Sequence, residues 1–147
     1  MPTSASHWAL AGALTGAVLV ASCSEVVLPL VTAWEGSVEA LTPGGPRGFL
    51  AVVSQAGRAQ TSLQLTRGEA GTAYAWTIRT GSCAAPGDIV GGSAVYPRLT
   101  ADADGEADGG TTLSRELSPD GAYAGWILLP SGGAEAPVAC GALVRTR

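Results

Sequence analysis

Residues 74–83 (YAWTIRTGSC) alternate large apolar side chains, Tyr74, Trp76 and Ile78, with small or polar ones, Ala75, Thr77 and Arg79. A period of two puts the first set on one face of a β-strand and the second set on the other. The strand ends at Gly81, and two residues later Cys83 is placed to tie the following loop to another part of the fold. Cys140 lies in a similar alternating segment near the C-terminus, so the two cysteines are candidates for the staple of a small β domain.

The same strand logic runs through the rest of the chain. Val31 to Leu41 suits a first strand with Trp34 in the core, and Gly36 suggests a bulge. After the turn Thr42-Pro43-Gly44-Gly45-Pro46, residues 48–55 and 58–66 read as a hairpin around Ala56-Gly57. Residues 84–92 show neither period and are expected to cover one end of the sheet. Residues 93–100 read as a strand interrupted by Pro97, hence an edge or a break. An acidic turn over 101–110 precedes a strand through 111–117. Residues 122–129 (AYAGWILL) form a strong strand with Tyr123, Trp126 and Ile127 available for burial. Residues 130–137 are expected to be a loop, and 138–144 the closing strand. Seven or eight short strands separated by Gly/Pro turns, with no amphipathic helix, predict an all-β antiparallel Greek-key β-sandwich or barrel.

The first residues belong to a different regime. Trp8 to Ala21 carries no charge and is too short to span a bilayer, which needs about 20 apolar residues. It has the length of a signal-peptide core, expected to be helical. It ends in Val20-Ala21-Ser22-Cys23, which resembles the lipobox of bacterial lipoproteins, although Met1 to His7 contains no Lys or Arg. That resemblance implies a signal peptide over 1–22, lipidation of Cys23, a tether over 23–33 and a β domain over 34–147. The expected location is then the bacterial cell envelope, with the protein exported and membrane-anchored through lipid on Cys23. Lipid on Cys23 would leave Cys83 and Cys140, an even number in an oxidising compartment. A bridge between them closes a long loop and is worth roughly 4 kcal/mol on the chain-entropy account. The alternative is a pair of free buried thiols.

All eight basic residues are Arg, and the formal net charge is −4. A mildly acidic chain without a basic cluster excludes a nucleic-acid binder of the usual electrostatic type. It also lacks the polybasic segment that grips anionic lipid, so membrane attachment rests on Cys23.

Several short motifs occur together: Trp76 to Cys83, then Ile89-Val90-Gly91-Gly92, Tyr96-Pro97-Arg98-Leu99, the acidic stretch 101–108 and Val138-Ala139-Cys140-Gly141-Ala142-Leu143. In order and spacing they resemble the superoxide dismutase-like family. The nearest likeness is to small exported bacterial proteins related to Cu/Zn superoxide dismutase and to chordin-type (CHRD) domains. The resemblance covers about Trp34 to Leu143. It implies a Greek-key barrel with an intrasubunit disulfide at Cys83 and Cys140.

The metal chemistry of that family does not carry over. Where it has two copper-ligating histidines on the central strand, this chain has Thr77 and Arg79. Leu128 lies where a third is expected, and Gly92 and Val95 near the places of zinc ligands. The family's guiding arginine corresponds to the region of Ala136, Pro137 and Val138. The chain has a single histidine, His7, inside the expected signal. Copper redox cycling needs imidazole or soft ligands at an open site, so dismutase activity is not expected.

Two features remain as candidate sites. Asp102, Asp104, Glu106 and Asp108 alternate around Gly105 and supply hard oxygen ligands of the kind calcium takes, although the full twelve-residue loop is absent. The competing reading is a solvated hairpin turn. If the opposite face of its strand is core, Arg79 lies outside and could bind a carboxylate or pair with a nearby acid, the competing reading being an ordinary exposed strand Arg with a surface partner. No nucleophile elbow is present, since Gly91-Gly92-Ser93-Ala94 departs from the Gly-x-Ser-x-Gly pattern. The sequence thus predicts a non-catalytic, cofactor-free envelope module with a protein or polysaccharide partner. The second reading is a metal-binding protein or enzyme using the acidic turn 102–108 or an unrecognised site.

Overall fold

The computed structural model describes residues 30–147. The expected signal segment 1–22, Cys23 and the remainder of the tether up to residue 29 lie outside the described residues.

Alternation decides the strands. β1 (Thr32–Ala40), β2 (Arg47–Gln55) and β3 (Arg58–Thr66) form an antiparallel meander. In β3 the residues Ala59, Thr61, Leu63 and Leu65 are buried, while the intervening Arg58, Gln60, Ser62, Gln64 and Thr66 are exposed. Gln55 pairs with Arg58, so the connection is the two-residue loop Ala56-Gly57. Both loop residues have positive φ, 53° and 79°, the combination whose twist suits a two-residue hairpin.

The chain then leaves this meander. β4 (Ala73–Gly81) carries β5 (Pro86–Ile89) and β6 (Leu99–Thr100), both antiparallel to it. β7 (Ala107–Leu113) returns to the free side of β3. β8 (Tyr123–Ser131) pairs with β4, and β9 (Ala134–Arg145) joins β8 to β1. The order along the sheet is β5-β4-β8-β9-β1-β2-β3-β7, antiparallel throughout. Consecutive strands β3 and β4 thus sit near opposite ends of that order, joined by a short segment. The sheet curls to allow this, giving the expected all-β Greek-key arrangement.

The curl encloses one core. Trp34, Leu50, Leu63, Trp76, Ile78 and Ile127 are each at most 2% exposed. Burying such a side chain contributes about 1.5–3 kcal/mol. Trp34 meets Tyr123 edge-on with ring centroids 6.0 Å apart. Gly125 on β8 lets these layers close, since a Cβ there would lie 2.6 Å from Leu50 Cδ2.

Residues 90–100 fill the seam between β4 and β7. Tyr96 packs edge-to-face on Trp76, centroids 4.9 Å apart, and its hydroxyl donates to the Val90 carbonyl at 2.7 Å. Trp76 Nε1 donates to the Pro97 carbonyl at 2.8 Å, and Thr111 Oγ1 to the Val95 carbonyl at 2.7 Å. The strand expected over 93–100 is therefore mostly absent. A single 3₁₀ turn, Ser93–Val95, precedes Pro97, which has no N–H for a ladder, and only Leu99–Thr100 pairs with β4.

Three other expectations are corrected. The segment expected to have no period contains β5, held by pairing with β4 rather than by its own pattern. The strand after the acidic turn begins at Ala107 and ends at Leu113, so Asp108 stands on β7 and not in the turn. The loop expected over 130–137 is the end of a hairpin, with Pro130 paired to Glu135 and Ser131 to Ala134 around Gly132-Gly133. Among the described residues no helix is long and apolar enough to cross a membrane.

Candidate functional site

On β4 the inward set is Tyr74, Trp76 and Ile78, which turns Ala75, Thr77 and Arg79 to the outer face. Their partners on β8 are Leu128, Trp126 and Ala124. Trp126 in turn pairs with Cys140 on β9, so Thr77, Trp126 and Cys140 form one row across three strands. Trp126, expected to be available for burial beside Tyr123 and Ile127, lies half-buried and on the outer face. Tyr123, Gly125 and Ile127 share one face of β8, and the period of two excludes Trp126 from it.

This outer face is covered even though it is not the core. Thr77 is 3% exposed and Leu128 7%. Two clefts lie along it and share Glu135. One, of about 410 Å³, includes Thr77, Tyr96 and Arg98 in its wall. The other, of about 260 Å³, is formed by Arg79, Pro86, Trp126, Leu128, Glu135 and Pro137. The β8–β9 register shifts after Ile127, so that Leu128 faces Pro137. Pro137 cannot donate to a ladder, and a bulge is one of the few places within a sheet that tolerates it. Arg98 Nη2 lies 2.8 Å from Glu135 Oε1, an exposed ion pair on the rim. Arg79 makes only a long contact, Nη1 to the Gly87 carbonyl at 3.4 Å. Among the described residues it has no carboxylate within ion-pair distance.

Hydrogen bonding sets this face apart. The buried hydroxyls of Ser54 and Thr61 are both bonded, Ser54 Oγ accepting from Leu117 N at 3.1 Å and Thr61 Oγ1 donating to the Thr111 carbonyl at 2.9 Å. Tyr74 and Tyr123 accept from Glu69 N and Ser118 N at 2.9 and 2.8 Å. Among the described residues, the buried side-chain polar atoms without any partner are Thr77 Oγ1 and Trp126 Nε1. The two belong to directly paired residues.

The disulfide Cys83–Cys140 is formed, with the Cα atoms 6.0 Å apart, within the usual span of such bridges. Cys140 is buried at the end of the row, and exposed Cys83 brings the loop after β4 against it.

The residues that the resemblance would set at copper-ligand positions do not fit a metal. Thr77 offers a neutral hydroxyl, Arg79 a guanidinium with hydrogen-bond donors and no acceptor, and Leu128 no polar atom at all. Gly92 and Val95 offer no side-chain ligand either. The acidic stretch is organised differently from a cation site. Asp102 Oδ1 accepts from the backbone N–H of Asp104 and of Glu106, both at 2.9 Å, closing its own turn. Glu106 and Asp108 border a separate shallow cleft with Gln64 and Thr66. Among the described residues no three His, Cys, Asp or Glu side chains are grouped as a metal ion requires.

Sequence reasoning reached Thr77, Arg79 and Leu128 only as degenerate positions and did not select Trp126, Arg98 or Glu135. For Trp126 the signal was present, because a residue one step from Ile127 takes the opposite face. For Glu135 and Arg98 no signal existed, since their meeting depends on the β8–β9 hairpin and the seam segment. No protein-family model matches the chain, and no curated protein matches it.

Proposed function

We propose that this chain is an exported envelope lipoprotein whose β domain has superoxide dismutase-like architecture and acts as a metal-free, non-catalytic binding module. The observation that carries this reading is the donor set on the outer face of β4 and β8. Thr77, Arg79 and Leu128 replace the imidazoles that dismutase chemistry requires, while a pair of clefts with charged and aromatic walls lies on the same face. The strand order and the Cys83–Cys140 bridge agree with what the resemblance leads one to expect. Attachment to the membrane through lipid on Cys23 is part of the proposal and rests on the Val20-Ala21-Ser22-Cys23 motif.

Two measurements test it. Elemental analysis of the protein purified from the envelope is expected to show no stoichiometric copper, zinc or calcium. Stoichiometric metal would overturn the metal-free reading and favour a metal protein using the acidic turn. Metabolic acyl labelling is expected to mark the native chain and to be lost in Cys23→Ala. Persistent labelling of that variant would remove the anchor from the proposal.

A further inference from the structure

The geometry points to a small-ligand site in the cleft between Arg79 and Trp126, and we propose that it takes an organic carboxylate with a planar or apolar body. This inference rests on the metal-free binding reading and gives it a ligand class.

Three independent observations converge on this cleft. The first is hydrogen bonding. A buried donor or acceptor without a partner costs about 1–3 kcal/mol, and folded proteins tolerate few of them. Here two occur on paired residues, Trp126 in the wall of this cleft and Thr77 in the wall of the neighbouring one, while the hydroxyls of Ser54 and Thr61 and the Trp76 indole are bonded. An indole N–H can only donate. Trp126, the member of the pair in this cleft, is therefore suited to a group that brings an acceptor oxygen. It is not suited to an ammonium, which brings donors only.

The second is charge. Arg79 borders the cleft with no carboxylate within ion-pair distance among the described residues, whereas Glu135 is already paired with Arg98 at 2.8 Å. The uncompensated charge at the cleft is positive, so it selects an anion. A guanidinium offers a planar fork matched to a carboxylate.

The third is shape and polarity. The rest of the wall is Trp126, Leu128, Pro86 and Pro137, all apolar rings or branched chains. A volume of about 260 Å³ holds a ring-sized body and is below the usual range for larger ligands. Inorganic anions would use Arg79 but leave these walls wetted, so the site favours an amphipathic acid over phosphate or sulfate.

Benzoate is the probe. In the ¹⁵N-labelled protein as isolated, a benzoate titration is expected to shift the Trp126 indole N–H resonance saturably, with Trp126→Phe used only to assign the peak. Arg79→Gln is expected to weaken binding about tenfold or more, the loss of one charge-assisted contact. Arg79→Lys should fall between the two. Benzamide, of the same shape without the charge, and inorganic phosphate, charged without the ring, should each bind at least about tenfold more weakly. Four results would overturn the proposal: no saturable shift, equal binding of benzamide, equal binding of phosphate, or binding unchanged in Arg79→Gln. Circular dichroism of Arg79→Gln confirms that a loss is not unfolding, and unchanged benzamide binding provides a second control. Elemental analysis separates the two readings. Metal in the sample defeats the metal-free module, whereas a metal-free sample indifferent to benzoate defeats only the carboxylate site.

Discussion

Thr77 and Trp126 face each other across the β4–β8 ladder, and neither the hydroxyl of one nor the indole N–H of the other is hydrogen-bonded. One residue along β4, Trp76 makes the opposite use of the same chemistry, donating its indole N–H to the Pro97 carbonyl at 2.8 Å. The inner face is thus satisfied by the seam segment, while the outer face keeps two polar atoms out of water without a partner.

That contrast sets opposite outcomes for two like substitutions. Thr77→Val keeps the shape and removes an unbonded hydroxyl, so the domain is expected to gain about 1 kcal/mol or remain unchanged. Thr61→Val deletes a hydroxyl that donates to the Thr111 carbonyl and accepts from Thr111 N, at 2.9 and 3.2 Å. Its expected cost is about 1–3 kcal/mol. Urea unfolding of both variants checks the pair, and a larger loss for Thr77→Val would show that its hydroxyl is engaged.

The bridge between Cys83 and Cys140 constrains 57 residues of chain separation. On the chain-entropy account, removing it costs roughly 4 kcal/mol, a large share of a typical domain's stability of about 5–15 kcal/mol. Reduction, or the double change to Ser, should lower the urea midpoint sharply while far-UV circular dichroism at low denaturant keeps its β signature. An unmoved midpoint would mean that the bridge contributes nothing to the folded state.

The β2–β3 hairpin carries a correctable strain. Ala56 is exposed with φ 53°, a region costing a residue with a Cβ about 1–2 kcal/mol, and Gly57 beside it has φ 79°. Asn is the favoured residue at the first position of such a loop. Ala56→Asn is expected to stabilise the domain by about 0.5–1 kcal/mol, read as a rise in melting temperature. A fall in melting temperature would show that the loop is not under that strain.

The hairpin also shows why part of the fold was legible. In β3 the burial alternates without exception, the sequence departing from apolar alternation only at Thr61, and its bounds 58–66 match the strand observed. β9 was only half legible, because Ala134-Glu135-Ala136-Pro137 has poor strand propensity and becomes strand through pairing with β8. The segment 93–100 misled for the converse reason. Val95, Tyr96 and Leu99 look like strand residues, yet Tyr96 is used to close the seam over Trp76. At the site, Thr77, Arg79 and Leu128 were identifiable by position alone. That Thr77 is buried without a partner depends on what crosses above it, and no local pattern encodes that.

Tyr96 gives the domain an alkaline limit. Burial pushes its phenol from 10.0 up to about 12, partly opposed by a backbone hydrogen bond from Ile78. The folded state therefore holds the proton that the unfolded chain releases above about pH 10. Between those two values the native state binds more protons than the unfolded one, so stability falls as pH rises. The full contribution is present below the unfolded value and is lost by about pH 12, a decline of up to roughly 3 kcal/mol at 1.36 kcal/mol per unit. Tyr96→Phe loses the hydrogen bond to Val90 and is expected to be less stable near neutrality, yet flatter across the alkaline window. Unfolding free energies measured from about pH 9 to pH 12 in both proteins decide the matter. Equal slopes would place the alkaline sensitivity elsewhere and show that Tyr96 ionises without disturbing the seam.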